Sequence, residues 1–144
     1  MIKIEHSIVV NRPVEEVFAY ATDVSKVPEW QTSALEASVD GTMQAGATGA
    51  IVRKFLGRRM ESSVQFDEYE PPRKFALHAT SGPVQFRVQQ TYEPTDEGAR
   101  ITVVMEGEPG GFFKLAEPLV QRAIRREMET NFATLKDILE SGSA

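Results

Sequence analysis

The length, composition and charge of the sequence indicate one ordinary globular domain. The chain has 144 residues, of which 41% are hydrophobic and 26% charged, so it is large enough to bury one core without disulfides or metals. The chain has no cysteine, which excludes a disulfide framework, a thiolate metal site and a cysteine nucleophile. A net charge of −5 argues against a nucleic-acid surface.

The organisation of the chain predicts a single domain over residues 1–144. No repeat, low-complexity run or linker interrupts it. Its start, MIKIEHSIVVNRP, lacks the continuous apolar run of a signal peptide or a membrane span, so we expect no stable membrane insertion. With the missing cysteines, this favours a cytoplasmic protein. The sequence leaves the oligomeric state open.

The first third of the chain predicts one strand and two short helices. Ile2, Ile4, Ile8 and Val10 lie at alternate positions together with His6, and this period of two is typical of a strand with one buried face. Pro13 suits the first turn of a helix, and apolar residues then recur at three- and four-residue spacing. Asp23 or Ser25 can cap a further turn that runs into Pro28.

The middle of the chain changes to a period of two and predicts six more strands. Two patterns are clear and four are weaker, and glycine or proline separates them, which favours short turns and antiparallel neighbours. The clear strands are predicted at 60–67 and 84–92, and the weaker ones at 34–39, 47–56, 73–80 and 99–107.

The last thirty residues return to helical spacing. An apolar stripe over 112–141 predicts the longest helix, with Pro118 in its first turns or at an early kink. This helix is the natural cover for a seven-stranded antiparallel sheet. A curved sheet and a straight helix do not match along their length, so we predict an α+β fold with an internal apolar cavity, closed at one end by the short helices.

Four segments carry a resemblance to a known family. The strings IVVNRPVEEVFAYATDVSKVPEW, FDEYEPPRKFAL, YEPTDEGARITVVMEGEPGG and LKDILE occur in this order over nearly the whole chain. The sequence resembles the polyketide cyclase/dehydrase and lipid-transport superfamily, also called SRPBCC or START-like. The resemblance implies the helix-grip fold of the major birch pollen allergen. It also implies one of several functions, among them lipid binding and aromatic-polyketide cyclisation, because the fold does not determine the function.

Two functions therefore stand as expectations. The first is binding or transport of a small, largely hydrophobic ligand of the lipid, polyketide or isoprenoid type. The second is a polyketide cyclase or dehydratase that folds a poly-β-carbonyl chain in the same cavity. His6 and His78 lie far apart and no nucleotide or hydrolase motif is present, so we expect neither a metal nor another cofactor.

His6 and Tyr92 are the catalytic candidates. His6 shares its parity with Ile4 and Ile8, so its imidazole is expected to face the cavity as a general base, and Tyr92 is expected to assist proton transfer. The alternatives are a core histidine and, for Tyr92 with Gln90, an internal hydrogen-bond network.

The ligand-binding candidates are inward-facing strand residues and apolar residues of the helical segments. Arg53 is the one charged candidate: it either pairs with an anionic ligand or enolate, or lies in solvent if the register slips. Trp30 lines the cavity or fixes the short helices to the sheet, and Phe112 with Phe113 forms a gate or the first buried turn of the long helix. The remaining candidates are Ser62, Phe86, Val88, Gln90, Met128 and Phe132.

Overall fold

A computed structural model describes residues 1–55, 57–109 and 112–142, with the backbone alone at 109, 112 and 113. The strands are β1 (Ile2–Val10), β2 (Ala34–Val39), β3 (Thr48–Phe55), β4 (Arg58–Glu70), β5 (Lys74–Ser81), β6 (Val84–Thr95) and β7 (Gly98–Pro109). The helices are α1 (Val14–Ala21), α2 (Val27–Trp30), α3 (Phe112–Leu115) and α4 (Glu117–Glu140). This is the predicted helix-grip fold, with a curved sheet and one long C-terminal helix.

The sheet is antiparallel throughout and its strand order is β1-β7-β6-β5-β4-β3-β2. Strands that follow each other from β2 to β7 are neighbours, as short turns require. β1 and β2 form the two edges, so the chain between them must cross from one edge to the other. α1, a 3₁₀ turn at Val24–Lys26 and α2 make this crossing. Asp23 Oδ1 caps the 3₁₀ turn by accepting the Ser25 N–H at 3.0 Å.

The predicted strands are confirmed, and the structure extends the longest of them. β4 has 13 residues and β6 and β7 have 12 each, which is long enough for the twist of the sheet to accumulate into curvature. Register shifts at Ala34/Glu36 in β2 and at Ser63/Val64 and Phe66/Glu68 in β4 add local bends. α4 packs against β1, at one edge of the sheet.

The predicted C-terminal helix is present as two pieces. α3 ends at Leu115, and α4 begins at Glu117 with Pro118 in its first turn. Proline has no N–H to donate, and its ring clashes with the carbonyl four residues earlier. A helix therefore tolerates Pro118 only where a new first turn starts, which places the break at Ala116.

Two clusters of buried side chains form the core. The larger joins α1, the sheet and the C-terminal half of α4, and it contains Phe18, Phe66 and Leu135. The smaller contains Ile2, Ile4 and Val120. Met128 packs against both clusters, so the middle of α4 spans the space between them.

Candidate functional site

A cavity of about 180 Å³ lies between the sheet and α4. Apolar side chains from β1, β3, β4, β6, β7 and α4 form most of its wall, and Trp30 at the end of α2 closes one part of it. The exposed Pro83, in the turn between β5 and β6, lines the cavity at the protein surface. The apolar lining residues are Ile2, Trp30, Ile51, Phe55, Met60, Pro83, Val84, Phe86, Val88, Val103, Met105, Val120, Ile124, Met128 and Phe132.

The two short helices differ in how they contribute to this site. Trp30 of α2 lines the cavity, and its ring packs at 5.3 Å from the ring of Phe132. α1 contributes none of the described lining residues; its Val17 and Phe18 pack in the larger core cluster instead. Closure of the cavity by the short helices therefore comes directly from α2.

Four polar residues, which we call the polar cluster, join the α2–β2 connection to β3 and α4. The Arg53 guanidinium donates to Gln31 Oε1 at 2.7 Å and to Ser33 Oγ at 3.3 Å. Ser33 Oγ in turn donates to Glu127 Oε2 at 2.8 Å. Arg53, Gln31 and Glu127 line the cavity. The chain thus places one positive and one negative charge on a largely apolar wall, and a buried hydroxyl links the two.

The environment of Arg53 opposes its charge. Burial lowers the pKa of the guanidinium from its ordinary 12.5, and the negative charge of Glu127 acts in the opposite direction. Arginine loses its proton only far above neutral pH, so Arg53 stays cationic in the cavity. Arg53 is partly buried, and its charge is tolerated because Gln31 and Ser33 accept its hydrogen bonds and the negative charge of Glu127 lies nearby.

The indole N–H of Trp30 is a hydrogen-bond donor that finds no acceptor in the described part of the chain. The residue is 3% exposed, and its Nε1 is buried without a hydrogen-bond partner among the described residues. Buried donors are nearly always satisfied, because leaving one unpaired costs about 1–3 kcal/mol. Trp30 directly precedes Gln31 in the chain, and both residues line the cavity.

The structure places eight of the predicted ligand-binding residues in the cavity lining. Arg53 takes the inward of its two predicted positions. The side chains of Phe112 and Phe113, predicted as a gate, lie outside the described residues. That any of these residues contacts a ligand stays a prediction. The eight are Trp30, Arg53, Ser62, Phe86, Val88, Gln90, Met128 and Phe132.

His6 and Tyr92 are not among the described lining residues. β1 is an edge strand covered directly by α4, so the inward face at His6 meets Phe132, with ring centroids 6.0 Å apart, rather than open space. The His6 Nε2 is buried without a partner among the described residues.

Tyr92 is 3% exposed, its ring packs edge-on against Phe18 at 5.0 Å, and its hydroxyl donates to Gln90 Oε1. Burial raises the pKa of Tyr92. A catalytic role for His6 or Tyr92 stays a prediction.

Sequence reasoning missed four polar residues of the site: Gln31, Glu127 and Asn131 in the cavity lining, and Ser33 in the polar cluster. Glu127 and Asn131 are four residues apart and so lie on one face of α4, beside the apolar Met128 and Phe132. Two polar residues at helical spacing beside an apolar stripe were the available signal. Gln31 lies in an irregular connection, where no periodicity marks the inward face.

The comparisons with known proteins agree with this architecture. A family model described as "Polyketide cyclase / dehydrase and lipid transport" matches residues 1–140. The chain belongs to this family. A comparison with curated proteins finds no match. The family therefore rests on a match over nearly the whole chain, as the four sequence segments predict.

Solved structures similar to this family member show the same fold at low sequence identity. TTHA0849 from Thermus thermophilus superposes with a TM-score of 0.82 at 17% identity, over 99% of each chain. A START superfamily protein from Mycobacterium smegmatis gives 0.81 at 10% identity, over 96% of this chain and 97% of its own. The di-domain ARO/CYC BexL of the BE-7585A biosynthetic pathway gives 0.74 at 19% identity, over 97% of this chain and 47% of its own. At such identities the likeness shows the fold alone.

Across the described residues, no helix combines the length and apolar character needed to cross a bilayer.

Proposed function

We propose that this protein binds and carries a small, largely hydrophobic molecule of the lipid, polyketide or isoprenoid type in the cavity between the sheet and α4. The observation that carries the proposal is the cavity itself, which is lined mostly by apolar side chains and by a few polar ones. Small-molecule sites commonly combine an apolar pocket with a few polar groups that orient the ligand.

The size and lining of the cavity set the scale of the ligand. Its volume of about 180 Å³ exceeds the roughly 150 Å³ that suffices to hold benzene. Three methionines, Met60, Met105 and Met128, contribute to the wall. Unbranched methionine side chains repack easily, so the cavity can adapt to molecules larger than the one that fits its present shape.

Binding is better supported than catalysis. Arg53 and Glu127 are engaged with each other through Ser33, and both predicted catalytic side chains lie off the described lining. The polar groups at the cavity therefore suit orientation of a ligand. The cytoplasmic location expected from the sequence stays a prediction.

Blocking the cavity tests this proposal. Ethylbenzene is a suitable probe because it is neutral, apolar and small, and its binding is followed by shifts of amide and indole resonances in ¹H–¹⁵N spectra. Val88→Phe adds a ring to the cavity wall, whereas Gln89→Phe adds the same ring to the opposite, exposed face of β6. We expect Val88→Phe to weaken ethylbenzene binding about tenfold or more, equivalent to about 1.4 kcal/mol, and Gln89→Phe to leave it unchanged. Equal affinities in the two folded variants, or no binding to the unaltered protein, contradict the proposal.

A further inference from the structure

The charges that face the cavity cancel. Arg53 and Glu127 are the charged residues of the described lining, one on β3 and the other on α4. They are bridged by Ser33, which accepts from Arg53 and donates to Glu127. Arg53 is therefore already compensated before any ligand enters.

Because the charges of Arg53 and Glu127 cancel, the polar group of a ligand meets no net charge beside them. An anionic group that enters beside Arg53 also enters beside Glu127, with no net positive charge to offset the loss of its hydration. An uncharged oxygen has a much smaller desolvation cost and still finds a donor. Trp30 lines the cavity, and its Nε1–H is buried and unpartnered among the described residues.

We propose that the cavity selects molecules whose polar group is an uncharged hydrogen-bond acceptor, such as a ketone or ester carbonyl, and that Glu127 is the residue that rejects carboxylates. The proposal rests on the proposed function, since it assigns the ligand class of the same cavity. It assigns to Glu127 a role that depends on its charge: compensation of Arg53.

Two nearly isosteric probes test the selection. Acetophenone and benzoate share a phenyl ring, but the first carries a neutral carbonyl and the second is ionised at neutral pH. Ethylbenzene, which has no polar group, measures the apolar contribution alone. Backbone amide shifts give the dissociation constant of each probe. In the unaltered protein we expect acetophenone to bind about tenfold more tightly than benzoate, or more.

Removing the carboxylate of Glu127 is expected to abolish this preference. Glu127→Gln keeps the length of the side chain and an oxygen that accepts from Ser33, but it leaves Arg53 uncompensated. Benzoate is then expected to gain about tenfold or more in affinity, while acetophenone changes less than about threefold. Glu129→Gln removes the same charge from an exposed position on the same helix, so it controls for the net charge of the protein. We expect it to change neither affinity.

The outcomes separate this proposal from the broader one. If ethylbenzene binds, but acetophenone and benzoate bind equally and Glu127→Gln changes neither, the cavity is a ligand site without charge selection and the assignment of Glu127 is wrong. If Glu127→Gln and Glu129→Gln raise benzoate affinity equally, the effect belongs to the net charge and the assignment is again wrong. If no probe binds to the unaltered protein, both proposals fail together.

Should Glu127→Gln not fold, the double variant Arg53→Met/Glu127→Gln removes both charges and is expected to retain acetophenone binding. Loss of acetophenone binding in that variant, with ethylbenzene binding retained, contradicts the proposal.

Discussion

Asn131 holds Thr32 by two hydrogen bonds to one oxygen. The backbone N–H of Thr32 donates to Asn131 Oδ1 at 3.0 Å, and the Thr32 hydroxyl donates to the same atom at 2.9 Å. This pair attaches the α2–β2 connection to α4 across 99 residues of sequence. Because the cavity-lining residues Trp30 and Gln31 immediately precede Thr32, the attachment also fixes this part of the cavity lining.

Asn131→Ala should therefore destabilise the protein more than Thr32→Ala. The first substitution removes the acceptor of both hydrogen bonds from a buried position, whereas the second removes only the hydroxyl bond at an exposed residue. We expect Asn131→Ala to lower the free energy of unfolding by about 1–3 kcal/mol and Thr32→Ala to cost less than about 1.5 kcal/mol. Urea unfolding curves measure both values. Equal losses in the two variants would show that the shared acceptor does not fix the connection.

The C-terminal half of α4 is expected to contribute strongly to stability. Leu139 is fully buried in the larger core cluster, and Leu119 on the same helix is 59% exposed. Leu139→Ala should cost about 2–5 kcal/mol, because the substitution leaves a cavity that the core fills only in part. Leu119→Ala is the matched control and should change stability by less than about 0.5 kcal/mol. Thermal or urea unfolding of the two variants distinguishes these values, and similar losses would contradict the packing described here.

The N–H of Trp30, which has no partner among the described residues, predicts a ligand-specific effect. Trp30→Phe keeps an aromatic ring but removes the donor, so acetophenone should bind about three- to tenfold more weakly, the equivalent of one hydrogen bond. Ethylbenzene has no acceptor and serves as the control, since its affinity then reports only the change of ring. Calorimetry or backbone amide shifts measure both constants. An identical loss for the two probes would mean that the indole N–H makes no bond to the ligand.

Much of this fold could be predicted because it depends on local patterns. The alternating residues at 60–67 and 84–92 lie within β4 and β6, and the helical stripe from 112 onward lies on α3 and α4. Pro118 marks the start of α4, as the missing N–H of proline requires. These features need only the period of a strand or helix and the chemistry of one residue.

The polar part of the site could be predicted less well because it depends on how distant elements meet. The alternation along β3 predicts that Arg53 can face inward. It does not predict the groups that Arg53 meets, because these come from the α2–β2 connection and from α4, and the sequence does not show how α4 is rotated about its axis. His6 has the expected parity, yet α4 packs directly on its strand and Phe132 occupies the space beside it. Parity indicates which face a residue takes, and packing decides whether that face meets a cavity or a helix.

Acid should weaken the attachment of the C-terminus of α4. Glu140 accepts from Lys136 Nζ and from the Asn11 N–H, both at 2.8 Å, and these hydrogen bonds lower the pKa of its carboxyl below the ordinary 4.5. A folded-state pKa below the unfolded value adds stability above about pH 4.5, and this stability is lost as the pH falls through the folded value. Glu140→Gln should therefore reduce the acid-induced drop in the urea midpoint.

Glu129→Gln is the control for this pH effect, because Glu129 is an exposed carboxylate on the same helix. It should leave the acid-induced drop as it is in the unaltered protein. Urea midpoints at neutral pH and below about pH 4 measure all three proteins. An equally steep loss in the Glu140→Gln protein would remove Glu140 from this role.

Intermolecular nuclear Overhauser effects from bound ethylbenzene test the central claim most directly, because they locate an apolar molecule on the protein. Met105 and Met128 line the cavity, whereas Leu115 and Leu119 are 92% and 59% exposed, and each of the four carries methyl groups. If the cavity is the binding site, ethylbenzene should give contacts to both methionine methyl groups and none to the two leucines. Contacts confined to Leu115 and Leu119, or contacts to neither pair, would contradict ligand binding between the sheet and α4.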